Sequence, residues 1–320
     1  MLISVVIAVG DRPVGLERCL TALAAQDFDG QCYEVIVAGA RNDRVAALAQ
    51  KWNRRTRGLP RVRHVGLSAS HGIVGARNVG WRSARGEVLA FTDPVAVPNA
   101  DWLTEGWRAM QPDVVAAAGR VRSAAAAVEP EDRKGDDVDG AEFTTANCFV
   151  TRQALRAVGG FDERFTSGWR EDSDLLFMLL KVHGRVGAAP HAIVNKPAQP
   201  ATWIERVSAY RNLLFEALLY KKHPELYRER VDSSTPWHYY GIAASIAGTV
   251  IGAMLGSPLL VVTGFGIWLA LTAVHFGLRW THAPRAHRRV GEIAADAFAI
   301  PLVAAFWRLV GALRFRVRFF

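Results

Sequence analysis

Ile3-Ser4-Val5-Val6-Ile7-Ala8-Val9 is a nearly unbroken apolar run. A short run without polar alternation reads as a strand buried on both faces, the habit of strands in parallel sheets. No basic residue precedes it and Asp11-Arg12 follows at once, so it does not read as a secretory leader. Working outward, Val14–Ala25 reads as a helix with Leu16, Leu20 and Leu23 on one face. Tyr33–Ala38 is a second strand and Val45–Trp52 a second helix. Arg61–Val65 is a short strand, Gly75–Ala84 a helix, and Val88–Thr92 another buried strand. This alternation predicts an α/β fold, a parallel sheet covered by helices.

Ligands of such sheets bind at the carboxyl ends of the strands. The loops after Val9, Ala38 and Thr92 are therefore the ones that matter. Gly10-Asp11-Arg12-Pro13 holds a single glycine, which argues against a dinucleotide-binding enzyme. Asp93 ends the strand Glu87–Thr92, where a carboxylate either holds a metal or ligand hydroxyl or turns the chain before Pro94. Further on, Gly159-Gly160-Phe161-Asp162-Glu163-Arg164-Phe165 precedes Trp169-Arg170-Glu171-Asp172-Ser173-Asp174, and the apolar run Leu175–Leu180 follows. Three carboxylates in the first turn of a helix suit its dipole. They equally suit a general base in a cleft beside an aromatic platform.

Of the 320 residues, 50% are hydrophobic and 22% charged, which excludes wholesale disorder. Mean hydropathy is +0.09, high for a soluble enzyme and low for a bundle of spans, so two unlike parts are expected. Cys19, Cys32 and Cys148 have no paired or metal-like spacing; they exclude a disulfide framework and a zinc module and read as small buried hydrophobes. The net charge of +9 fits nucleic acid, anionic lipid or an anionic substrate. Its distribution separates these: from Arg279 to Phe320 eight arginines are opposed only by Glu292 and Asp296, a net +6 beside the most apolar part of the chain. Membrane lipids are thus expected as partners, and nucleic acid is not.

Tyr239 to Leu278 is 40 residues without one Asp, Glu, Lys or Arg. A span needs about 20 apolar residues, so this length holds two. Gly256-Ser257-Pro258 breaks it, predicting a transmembrane helical hairpin, 239–255 out and 259–278 back. Gly248, Gly252 and Gly256 recur every four residues and give the first helix a flat packing face. Lys221, Lys222, Arg228 and Arg230 lie before the hairpin and the arginines after it, so the positive-inside rule puts both flanks and the N-terminal domain in the cytoplasm, at the cell (inner or plasma) membrane. Ala297–Trp307 is apolar for only 11 residues between Asp296 and Arg308. It is expected as an amphipathic interfacial helix, with a third span over 293–313 as the alternative. The expected division is 1–228, a linker 229–237 containing Ser233-Ser234-Thr235-Pro236, the hairpin 238–280, and a basic interfacial helix and tail 281–320.

Four pieces of the first part resemble family 2 glycosyltransferases of the GT-A fold, in the membrane-anchored bacterial form. They are Ser4-Val5-Val6-Ile7 with its basic turn; Ala76-Arg77-Asn78-Val79-Gly80 with Ala84-Arg85-Gly86-Glu87 and Phe91-Thr92-Asp93; Asn147 and Arg152 with the Gly-Gly-Phe-Asp-Glu-Arg-Phe run; and Glu171-Asp172. Trp203 and Lys221-Lys222-His223-Pro224-Glu225 ahead of the hairpin resemble membrane-anchored members. The resemblance implies a Rossmann-like GT-A domain that binds a nucleotide sugar, a UDP-sugar foremost, with a divalent metal (Mg or Mn) as an optional cofactor. It implies an inverting, in-line transfer with Asp172 as base and Glu171 orienting beside it. Arg77, Asn78, Arg170, Asp93 and Asp43 fall on the donor side, and Trp169 and Asp174 on the acceptor side.

The sequence departs from the family pattern on the donor side. Ala38-Gly39-Ala40 stands where an acidic residue reads the nucleoside, with Asp43 a few residues on. Asp93 is followed by Pro94-Val95 where the metal motif has a second carboxylate, so Asp93 is a weak metal ligand by itself. Asn195 replaces a histidine after the late strand Ala192-Ile193-Val194, although His191 is close. Two accounts follow. One is a membrane-anchored transferase acting at the cytoplasmic face on a lipid-linked or glycan acceptor, its arginines countering the leaving diphosphate. The other is a catalytically degenerate membrane binding or scaffold protein. The acidic stretch Glu129–Glu142, between the donor and acceptor blocks, reads as a lid or as a solvated linker.

Overall fold

β1 (Ile3–Val9) is buried at every residue, as its apolar run predicts. The computed structural model describes residues 1–10, 15–41, 43–67, 72–123, 137–138, 141–181, 184–197, 202–231, 237–282 and 290–318. α1 (Leu16–Ala24), β2 (Tyr33–Ala40), α2 (Asp43–Arg55), β3 (Arg61–Leu67), α3 (Gly72–Ser83) and β4 (Val88–Thr92) follow in alternation. β2 and β4 flank β1, both parallel to it, with Val5 opposite Val35 on one side and Ala90 on the other. Gly80 lets α3 lie close on this sheet, since a Cβ there would stand 2.5 Å from Val6 Cγ1.

The second half of the sheet corrects the wholly parallel expectation. β5 (Val97–Pro98), α4 (Trp102–Ala109), β6 (Val114–Ser123), a short pair β7 (Asp137–Val138) and β8 (Ala141–Glu142), β9 (Asn147–Thr151), α5 (Arg152–Val158), α6 (Glu171–Leu179) and β10 (Arg185–Lys196) complete this part. The main sheet runs β3-β2-β1-β4-β9-β6-β10-β5, and β9 is antiparallel to both β4 and β6. Cys148, Phe149 and Val150 are fully buried. Such a run announces burial but is silent about strand direction. Trp52, Trp102 and Phe149 belong to one core with Val5, Ile7 and Leu20.

A polar knot fixes the amino ends of the strands. Glu34, 1% exposed, accepts from Ser4 Oγ at 2.9 Å, from the Arg85 amide at 2.8 Å and from Arg63 at 3.1 Å. The Gly86 amide donates to Ser4 Oγ, and Arg152 donates twice to the Gly86 carbonyl, at 2.8 and 2.6 Å. Ala84–Glu87 and Arg152, expected in the donor and acceptor blocks, thus anchor the start of β4. Asp93 stands at the other end of that strand.

The chain separates into two compact units, one built of Met1–Ala127 and Lys134–Gln199, the other mainly of Pro200–Phe320. The second contains α7 (Trp203–Ala209), a 3-10 turn (Tyr210–Leu213), α8 (Leu214–Lys222), α9 (Pro224–Leu226), a π turn (Tyr227–Val231), α10 (Trp237–Met254), α11 (Pro258–His282) and α12 (Val290–Phe315). The stretch 203–231 therefore groups with the C-terminal helices, where the sequence reading drew its boundary at 228. Within this unit Tyr210, Leu213, Tyr239, Ile300, Ala304 and Ala305 form a core.

α10 and α11 pair as a hairpin turning at Gly256 (φ +65°), but of the two only α11 is long and apolar enough to span a membrane, where both were expected to. Of the three glycines expected on the packing face, Gly252 alone is closely covered, with a Cβ position 2.6 Å from Leu260 Cβ. Gly264 on α11 supplies the other close approach, 2.6 Å from Thr249 Oγ1. Among the described residues two segments are long and apolar enough to cross a membrane, Pro258–Thr281 and Val290–Phe315. The 11-residue stretch 297–307, expected as a short interfacial helix, is thus the middle of a 26-residue one. Its bracketing charges do not end the helix because both are buried in this unit. Asp296 lies 3.7 Å from Arg279 and 3.8 Å from Arg206. The linker residues 232–236, the arginines 285, 288 and 289, and acidic residues 129–136 lie outside the described residues.

Candidate active site

β1, β2 and β4 end side by side at Val9, Ala40 and Thr92, and β10, parallel to β6, ends on the same side at Lys196. Asp93 follows β4. Lys196 Nζ lies 2.7 Å from Asp93 Oδ2, and Arg77 Nη2 lies 3.9 Å from Asp93 Oδ1. Arg77, on α3 and 7% exposed, places Nη1 2.8 Å from Glu171 Oε1. One guanidinium thus connects the end of β4 to the first residue of α6.

α6 starts under constraint. Arg170, its N-cap, is in the left-handed region at φ +66°, a conformation that costs a non-glycine residue about 1–3 kcal/mol. Its guanidinium carbon lies 5.7 Å from the centroid of the Trp169 ring. Held this way, the helix presents Glu171 and then Asp172, whose Oδ1 accepts from the Ser173 amide at 3.0 Å. The leading positive dipole of a helix favours carboxylates here. Burial pushes the Cys148 thiol up, and the charge of Asp172 adds to this, Arg77 opposes it and Asp93 adds again. Three of the expected residues therefore bear on one point of the sheet.

The geometry shows what holds several of the expected residues. Asn78 is buried, and its amide is used up on the chain ahead of α6. Nδ2 donates to the Phe161 carbonyl and to Glu163, while Oδ1 accepts from Trp81 Nε1 and the Phe161 amide. It ties α3 to the chain ahead of α6. Asn147, fully buried, similarly joins Trp102 Nε1 to the Arg120 and Ala192 carbonyls. Trp169, expected on the acceptor side, is 5% exposed, with the Arg170 guanidinium over its ring. Arg170, Glu171, Asp172 and Asp174 are all buried, at 3% exposed or less. Asp43 is exposed at the first residue of α2, beside the end of β2. Asn195 donates to Asn99 Oδ1 at 2.8 Å and joins β10 to the β5 turn. Sequence reading missed Lys196. Its one signal was its place just past the apolar part of the late strand, at the carboxyl edge.

The fold implies a divalent ion at Asp93. The described residues contain no group of three or more His, Cys, Asp or Glu able to hold a metal. Asp93 meets two cationic side chains instead, so these residues do not form a cation site by themselves.

The mixed sheet, with a charged site at its strand ends, has the architecture of the GT-A fold. Residues 4–157, just under half of the chain, match the family model of Glycosyl transferase family 2. Glu171 and Asp172 lie beyond the matched residues. Glycosyltransferase AglE of Haloferax volcanii is 24% identical over 205 residues, covering 59% of this chain and 66% of that protein, so the chain spans just under two thirds of that relative's length. The mannosyltransferase PcManGT of Pyrobaculum calidifontis, solved with GDP-Man and Mn2+, superposes with a TM-score of 0.61 at 17% identity, covering 96% of this chain and 86% of that one. Staphylococcus aureus TarS 1-349, solved with UDP-GlcNAc, gives 0.54 at 14% identity over 97% of this chain and 92% of that one. At these identities the likeness shows the fold. The Mn2+ of the first structure agrees with a divalent metal as an optional cofactor.

Proposed function

We propose that the protein is a membrane-anchored inverting glycosyltransferase that moves a sugar from a nucleotide-sugar donor, a UDP-sugar foremost, to a lipid-linked or glycan acceptor at the cytoplasmic face. The observation that carries this reading is Arg77 lying between Asp93 and Glu171, with Asp172 next in the chain. Solved relatives of this fold hold GDP-Man and UDP-GlcNAc, which supports a nucleotide-sugar donor.

In this mechanism the donor's diphosphate lies at the carboxyl ends of β1, β2 and β4. Asp172 accepts the proton of the acceptor hydroxyl as that oxygen attacks the anomeric carbon. The bond from the anomeric carbon to the diphosphate oxygen breaks on the opposite side, and the nucleoside diphosphate leaves with the electron pair. Glu171 fixes the start of α6 through Arg77, so that Asp172 is presented in one orientation. Asp43, exposed beside β2, is the candidate contact to the nucleoside.

The apolar helices Pro258–Thr281 and Val290–Phe315 support the membrane assignment, and the basic flanks support a cytoplasmic domain. A lipid-linked acceptor would bring its hydroxyl to such a domain. The test is to supply membranes containing the protein with radiolabelled nucleotide sugars and extract the lipids. Label in the lipid or glycan fraction, lost in Asp172→Asn, is the expected result; label equal in both would overturn the reading.

A further inference from the structure

We infer that Lys196 supplies at Asp93 the positive charge that a divalent ion would otherwise bring, so that the donor diphosphate is bound without an obligatory metal. This rests on the nucleotide-sugar reading above and concerns the same strand ends.

Lys196 is the last residue of β10 and its Nζ lies 2.7 Å from Asp93 Oδ2. An ion bound at that oxygen would have to displace the ammonium or share the carboxylate with it. The other oxygen faces Arg77, whose Nη2 is 3.9 Å away. Pro94 and Val95 follow in sequence, where a second carboxylate would raise the affinity for a hard cation, and the described residues form no metal-holding group of His, Cys, Asp or Glu. The Lys196 and Asp93 side chains are 29% and 25% exposed, open enough for a phosphate to reach the ammonium. A lysine keeps three donors, and one bond to Asp93 leaves two for phosphate oxygens. Asp93 then acts as the anchor that holds Lys196 at the strand ends, a positioning residue and not a metal ligand.

The experiment is titration calorimetry of UDP, with GDP in parallel, into the detergent-purified full-length protein, in EDTA and in manganese. The wild type is expected to bind with affinities within about twofold in the two conditions. Lys196→Met is expected to lose about tenfold in EDTA, a change of about 1.4 kcal/mol, and to regain part of it in manganese once Asp93 is released. Lys196→Arg, which keeps the charge, is expected to stay metal-independent. Thermal unfolding of each variant confirms that it is folded. Wild-type binding that requires manganese, or Lys196→Met binding like the wild type in EDTA, overturns the inference and leaves the donor reading standing. No binding of either nucleotide in any condition overturns both.

Discussion

Arg77 Nη1 and Glu171 Oε1 lie 2.8 Å apart, joining a helix early in the chain to the helix that carries Asp172. Glu171 is 1% exposed, so removing the Arg77 guanidinium would take a close cation from a buried carboxylate. Arg77→Met is expected to cost about 3–5 kcal/mol, and a fall in Tm of roughly 10 °C at about 2–4 °C per kcal/mol. Adding Glu171→Gln to that variant is expected to recover most of the Tm and none of the transfer activity. Thermal unfolding and transfer assays on the two variants check this.

Gly86 is required by a close approach at the amino ends of the strands, opposite Asp93. A Cβ there would lie 2.5 Å from the Ser4 amide nitrogen, a backbone atom that cannot swing aside. Gly86→Ala is expected to destabilise the protein by about 3 kcal/mol or more. Gly10→Ala, at a position with nothing within 4 Å, is the control, expected to stay within about 0.5 kcal/mol. Chemical denaturation of the two variants distinguishes them.

His64, on β3, has its imidazole pushed below the ordinary value of 6.5 by burial, with the Ala40 backbone partly opposing. The unfolded chain therefore binds more protons than the folded one just below pH 6.5. Stability contributed by the neutral ring is present above that pH and is lost as pH falls toward the folded value. His64→Gln is expected to flatten this acid-side decline, measured as Tm against pH between about 5 and 7.

Two helices of spanning length predict that the full chain stays in the membrane pellet after alkaline carbonate extraction and is released only by detergent. Release by carbonate alone would contradict the membrane assignment.

β1 and β4 were legible to the residue because central strands covered on both faces run as short, mostly apolar stretches. β6 was not seen at all. Its Ala116, Ala117 and Ala118 are helix formers by propensity, yet all three are fully buried in a strand between β9 and β10. Glu171 and Asp172 stand out only through the family resemblance, because carboxylates in a helix's first turn are equally explained by its dipole. The use of Asn78 and Asn147 as struts could not be read, since an amide's partners are set by distant carbonyls and not by neighbours in sequence. The same holds for Lys196, which meets Asp93 only through the sheet order. α12 was misjudged because Asp296 and Arg308 look like helix boundaries until burial shows them turned inward.

The most direct test of the central claim separates binding from chemistry at Asp172. UDP affinity and sugar transfer are measured side by side on the purified wild type and on Asp172→Asn, with membrane lipid extract supplying the acceptor. Removal of a general base typically costs about 10²–10⁴ in rate. The account predicts an unchanged UDP affinity with transfer reduced by at least about a hundredfold. Equal transfer by the two proteins would contradict it, and transfer by neither, with UDP still bound, would favour a membrane scaffold over an enzyme.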